Sequence, residues 1–217
     1  MTFSRLRLNR VWKILGGAVV VGILAIALFG WVIRPWYIRW GATDAEVAAT
    51  YLGDKLVPEP ARVINRAVTI RATPEQIYPW IIQLGAGKGG YYSYTWLETY
   101  LLNCPIVNAD RIHPEWQTLQ VGDQVKMCPG DFGPPPYEVA LIGPLYTVVL
   151  GHTENGQWME SWQFVIEPQS DGASRLILRT RSQMVGGFWD IIEPGTFIME
   201  RGMLLGIKER AEALAQQ

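Results

Sequence analysis

The stretch RVINRAVTIRATPEQIYPWIIQLG, residues 62–85, holds a strand and a helix with a clear boundary between them. Ile64, Val68 and Ile70 share one face at period two, with Arg66 interrupting it, and this predicts a strand over 62–70. Thr73-Pro74-Glu75-Gln76 then supplies an N-cap, a proline at the first helical position and a capping-box glutamine. Ile77, Trp80, Ile81 and Leu84 follow at helical spacing, and Gly85 stops the run. Pro79 sits inside this helix and should bend it, because it removes a backbone donor and crowds the preceding turn.

Downstream, a second short helix is expected over 94–102, then strands at 124–127, 137–142, 146–150, 158–166 and 175–181. Glu160, Trp162, Phe164 and Ile166 alternate onto one face of the longest strand. Residues 130–136 carry three consecutive prolines and must be a loop. At the C-terminus Gly195, Met199, Met203, Ile207 and Ala211 form an i,i+4 ladder, with Arg201, Lys208 and Glu212 as polar surface. A strand, two helices, an antiparallel run of strands and one long helix make an α+β domain, its curved sheet gripping the last helix.

Upstream, residues 14–33 carry no charged side chain. At about 1.5 Å per residue, twenty apolar residues span roughly the hydrocarbon thickness of a bilayer. Trp12 precedes the run and Trp31, Trp36, Tyr37 and Trp40 follow it, the ring types that settle at headgroup level. The run reads as one membrane-spanning helix, so residues 1–40 are a basic leader plus anchor and residues 41–217 a water-soluble domain. A cleaved signal peptide competes, since Ala25-Ile26-Ala27 is an A-x-A pattern behind Arg5, Arg7, Arg10 and Lys13. So does a buried core helix, although that would leave the basic leader unexplained. Four basic residues before the span against Arg34 and Arg39 after it favour a cytoplasmic N-terminus and an extracytoplasmic domain. Cys104 and Cys128 can pair in an oxidising compartment, though their spacing does not show that they do, and neither forms a C-x-x-C.

Composition excludes some functions. The 19 lysines and arginines nearly balance 20 aspartates and glutamates, with no basic block outside the leader, so nucleic acid has no electrostatic footprint here. Two distant histidines and no helical ligand pair speak against a metal site. No G-x-S-x-G elbow supports a serine hydrolase. No cofactor is expected. Ten tryptophans in a small chain suggest an apolar cavity with polar ring tips as well as a packed core.

Four segments carry a family resemblance: Trp40-Gly41-Ala42-Thr43-Asp44; Gly89-Gly90-Tyr91-Tyr92-Ser93-Tyr94-Thr95-Trp96-Leu97-Glu98; Ala109-Asp110-Arg111-Ile112-His113-Pro114-Glu115-Trp116; and Met199-Glu200-Arg201-Gly202-Met203-Leu204-Leu205-Gly206-Ile207-Lys208. With the element order, they resemble uncharacterised bacterial members of the SRPBCC superfamily, the helix-grip proteins that include START lipid-binding domains and polyketide cyclase-like proteins. The resemblance implies a deep apolar pocket for lipids, polyketides or other hydrophobic small molecules. It implies no shared catalytic residue.

Asp110, His113 and Glu115 are the catalytic candidates, because an imidazole between carboxylates can do acid–base work on a carbonyl ligand. The plainer reading is a polar loop whose charges pair in water. Ligand contacts are expected from Trp80, Tyr91, Tyr92, Tyr94, Trp96, Arg111, Trp116 and Trp162. The adjacent tyrosines cannot easily both point into one core, so their segment reads equally as core and as a rim facing ligand or membrane. Gly85-Ala86-Gly87-Lys88-Gly89-Gly90 follows a helix where a phosphate loop would follow a strand, and reads as a flexible connection at the pocket rim. Arg175, Arg179 and Arg181 alternate onto the face opposite Leu176 and Leu178, and are expected outside. The function expected is membrane-anchored binding of a hydrophobic small molecule or lipid; a cyclase- or aromatase-type enzyme and a membrane-associated interaction module are the alternatives.

Overall fold

The computed structural model describes residues 2–100, 102–130, 133–144 and 146–216, with side chains from Lys13 onward. Trp12, Arg5, Arg7 and Arg10 of the leader lie outside the described side chains. Leu101 of the expected second helix and Asp131 and Phe132 of the proline loop lie outside the described residues.

The chain divides into two compact units, Met1–Ile38 and Arg39–Gln217. The first is helical: α1 (Thr2–Leu28) passes through a π-helical turn (Phe29–Ile33) into α2 (Arg34–Ile38). Within it Lys13–Ile38, 26 residues, is long and apolar enough to cross a membrane.

The second unit opens with α3 (Asp44–Ala48), capped by Thr43, whose hydroxyl accepts from the Glu46 N–H while the Glu46 carboxylate accepts from the Thr43 N–H. Strand β1 (Arg62–Ile70) follows, then α4 (Pro74–Ile82) and α5 (Thr95–Tyr100). The remaining strands are β2 (Gln124–Val125), β3 (Tyr137–Gly143), β4 (Thr147–Glu154), β5 (Gln157–Pro168) and β6 (Ser174–Ser182), and α6 (Phe188–Leu214) closes the chain. The α4 N-terminus forms as its sequence predicts, with the Gln76 side chain accepting from the Thr73 N–H at 3.0 Å. Asn155 and Gly156, both at positive φ, make the tight turn between β4 and β5.

The six strands pair antiparallel in the order β1-β6-β5-β4-β3-β2. Register shifts between Val139 and Leu141 and between His152 and Thr153 bend the sheet. Residues opposite one another in the ladder share a face, so the register defines rows. Arg62, Ser182, Glu160 and His152 form one row; Ile64, Thr180, Trp162 and Leu150 the next; Arg66, Leu178, Phe164 and Val148 a third. These rows pack against α4 and α6, and Trp80, Ile81, Phe164, Leu178, Met203 and Ile207 are among the buried centre of that core. This is the helix grip: a curved antiparallel sheet holding one long helix, with two short helices after the first strand.

Only the C-terminal part of the α6 ladder is core. Met203, Ile207 and Ala211 are buried, but Gly195 is exposed and Met199 half-buried. Two glycines let α6 approach so closely: a Cβ on Gly206 would stand 2.0 Å from the Tyr92 carbonyl oxygen, and one on Gly202 would stand 2.8 Å from the Tyr94 ring.

The other sheet face corrects an expectation. Arg175, Arg179 and Arg181 do lie opposite Leu176 and Leu178, yet solvent does not cover them. Residues 41–58 cross that face, and Arg179, 2% exposed, donates to the carbonyls of Glu46, Val47 and Ala49 and to the side chains of Asn65 and Asp54. Arg175 pairs with Glu46 at 2.7 Å, and Arg181 donates to the Val57 and Pro58 carbonyls. The sheet has a second apolar contact here, where Tyr51 packs with Ala67, Val165 and Ile177.

Candidate functional site

The segment between α4 and α5 is built on hydrogen bonds. Gly85 and Gly90 exchange both backbone bonds at 3.0 Å, closing residues 85–90 into a pinned loop rather than a flexible connection. Asn108 Oδ1 accepts from the N–H groups of Tyr91 at 3.0 Å and Tyr92 at 2.6 Å. Tyr92 takes φ 55°, and this left-handed residue turns the chain so that both tyrosines enter the core, at 6% and 3% exposure. Tyr92 donates to the Trp80 carbonyl, and Tyr91 to the Lys126 carbonyl at 3.0 Å. The expectation that two adjacent tyrosines cannot share one core fails at that single dihedral angle.

On the inner sheet face, against α6, an ionisable cluster borders these rings. Trp162 stacks near Tyr137 at 5.6 Å and Tyr91 at 6.3 Å between ring centroids. The Tyr137 hydroxyl donates to Glu160, and Arg66, with no exposed surface, pairs with Glu200 from α6. The Arg66 guanidinium also lies 5.2 Å from the Phe197 ring centroid. Burial pushes the Glu160 carboxyl up, against the hydrogen bonds from Tyr137 and Ser182 that favour its charged form. It pushes Glu200 up likewise, against the pull of Arg66. Tyr137 is held well above the usual phenol range by burial and by the neighbouring Glu160 charge.

Glu98 differs from both other carboxyls. It is the buried residue of α5, 2% exposed, and neither carboxylate oxygen has a hydrogen-bond partner among the described residues. Burial raises it to about 7, with no charge of either sign resolved as opposing or adding. Its charge also holds the Tyr91 phenol up, beside the larger effect of that ring's own burial. The Trp80 indole N–H and the Thr180 hydroxyl are also buried without partners among the described residues.

The predicted residues divide between this interior and the surface. Trp80, Tyr91, Tyr92 and Trp162 are inside, and Tyr94 and Trp116 are half-buried. Trp96, Arg111, Asp110 and Glu115 are exposed. His113 lies on a loop before a 3-10 turn (Pro114–Trp116), stacked on Trp116 at 4.0 Å with Nδ1 3.0 Å from Glu115 Oε1. Its backbone N–H is held by Gln83, and its side-chain partners are Trp116 and Glu115 rather than Glu160 or Glu200. Cys104 and Cys128 form a disulfide. Among the described residues, no three His, Cys, Asp or Glu side chains come together to hold a metal ion.

No protein-family model matches the chain, and no curated protein matches it. Solved structures do. Norcoclaurine synthase from Thalictrum flavum is similar at 15% identity and a TM-score of 0.40, over 78% of this chain and 95% of that one. The Aha1 dimer from Colwellia psychrerythraea is similar at 20% identity and 0.42, over 70% and 96%. The KanY protein is similar at 14% identity and 0.40, over 70% and 97%. The likeness extends no further than those figures. By its own topology, the fold is a helix grip.

Proposed function

We propose that the protein is a membrane-tethered helix-grip domain that binds an apolar small molecule between the inner sheet face and α6. The observation that carries this reading is the set of buried polar groups left without partners among the described residues of the domain: both Glu98 oxygens, the Trp80 N–H and the Thr180 hydroxyl. An unpaired buried polar group costs about 1–3 kcal/mol, more when charged, and a ligand that satisfies it recovers that cost. Aromatic walls with a few convergent polar groups are the common composition of small-molecule sites.

The tether is residues 1–40 and the binding domain residues 41–217. The 26-residue apolar helix supports the tether, and it would hold the domain where an apolar ligand concentrates. The Cys104–Cys128 disulfide supports an extracytoplasmic domain, since thiols stay reduced in most cytoplasms. Of the predicted contacts, Trp80, Tyr91, Tyr92 and Trp162 are those this reading retains as ligand neighbours.

One observation favours catalysis as a second reading. A carboxyl poised at about 7 can give or take a proton at neutral pH, so Glu98 suits acid–base work of the cyclase kind better than the surface His113 does.

Native mass spectrometry of the full chain, released from lipid nanodiscs, tests the binding reading. A co-purified apolar molecule lost on denaturation is the expected result. A clean apo mass that takes up no added fatty acid, phospholipid or aromatic small molecule overturns it.

A further inference from the structure

The charges on the grip interior do not balance. Glu200 is matched by Arg66, and at the rim Glu193 is matched by Arg62 at 3.1 Å. Glu160 is served by the Tyr137 hydroxyl and lies within reach of His152 in the next strand. Among the described residues Glu98 is left without a hydrogen-bond partner, and no cation acts on its carboxyl to offset burial. Arg210 stands over the far tyrosine, 4.9 Å from the Tyr92 ring centroid, and donates to the Ala109 and Gly206 carbonyls. Lys126 supplies only its carbonyl to Tyr91, its ammonium being exposed.

A sequence does not place a bare carboxyl on the one buried position of a short helix for stability, since an amide or an apolar side chain would be cheaper there. When ionised, the two unpartnered oxygens accept hydrogen bonds only, and a cationic donor answers them best. Resting on the binding reading above, the geometry points to a ligand that carries an ammonium nitrogen on an apolar body, its positive charge taken by the buried, unpartnered Glu98 carboxylate. The apolar body would lie along Trp162 and the inner sheet rows. A carboxylate-bearing ligand such as a fatty acid would be repelled at this end.

Three probes with one body and different ends test this: 4-phenylbutylamine, 4-phenylbutanol and 4-phenylbutyrate. Binding is measured by equilibrium dialysis against the full chain in phosphatidylcholine nanodiscs, with empty nanodiscs as the blank. The amine should bind at least tenfold more tightly than the alcohol, and the butyrate most weakly. Because the ammonium needs an ionised Glu98, amine affinity should fall roughly tenfold per pH unit below the Glu98 titration, while the alcohol stays flat. Glu98→Gln should abolish both the amine preference and its pH dependence. The wild-type pH series tests the same point if that variant fails to fold. Equal binding of amine and alcohol, or a preference for butyrate, overturns the cation assignment and leaves the apolar-ligand reading standing. Failure of all three to bind overturns both.

Discussion

Arg66 shows what one side chain can set in this interior. It stands on the inner face of β1 with no exposed surface, and its partner Glu200 comes from α6. Removing one member of a buried ion pair strands the other, so Arg66→Ala should cost about 3 kcal/mol or more, read as a fall in thermal midpoint. Adding Glu200→Gln to that variant should recover part of the loss. If the double variant is as unstable as the sum of its parts, the pair is not coupled. Glu98 makes the opposite kind of prediction. Its carboxyl is raised in the folded state, so folding favours the protonated form. The stability it contributes is full below the unfolded carboxylate value near 4.5 and is lost as pH rises to about 7. Glu98→Gln should therefore leave stability near pH 4.5 almost unchanged and raise it above pH 7. A variant no more stable than wild type at pH 8 would mean that Glu98 is solvated or paired.

At the scale of elements, two contacts join parts distant in sequence. The first joins residues 41–58 to β6 through Arg179, which donates five hydrogen bonds and lies 4.5 Å from the Tyr51 ring centroid. A lysine cannot reproduce that planar fork, so Arg179→Lys should cost about 3 kcal/mol. Amide exchange should rise across residues 41–58 before the rest of the domain. Uniform exchange would show that the strap and sheet open together. The second is the approach of α6 to the Tyr92 turn. Gly206→Ala sets a methyl against backbone that cannot swing aside, and should destabilise by about 2 kcal/mol in denaturant titration. The elements themselves were legible because their signals are local: alternation along β5, Thr73 and Pro74 at α4, three consecutive prolines in the loop before β3. The site was less so. A six-residue helix is too short for periodicity to reveal its buried face, so the sequence carries no local signal that Glu98 is buried. Arg66 was visible as a break in an apolar face, and Glu200 lay inside a quoted family segment, but no local rule joins residues 134 positions apart. The inward turn of both tyrosines depends on Asn108, which no pattern singles out.

For the whole molecule, the disulfide and the apolar helix make one joint prediction about placement. Cys104 and Cys128, both nearly buried, close a loop of 24 residues' separation around the segment that leads from α5 to β2. Cross-linking a loop of that length removes about 3 kcal/mol of unfolded-chain entropy, so Cys104→Ser should lower the thermal midpoint without a reductant present. In wild type, reductant should bring the midpoint down to the same level. Disulfides persist mainly where thiols oxidise, so under the proposed anchoring by residues 14–33 the grip domain is expected on the non-cytoplasmic side. Protease added to intact bacterial spheroplasts expressing the chain should digest the domain and leave the N-terminal leader protected. A domain that survives until the membrane is permeabilised, with both cysteines alkylated as free thiols, would reverse the orientation. The interior would then be open to cytoplasmic ligands, and the disulfide could no longer count toward stability.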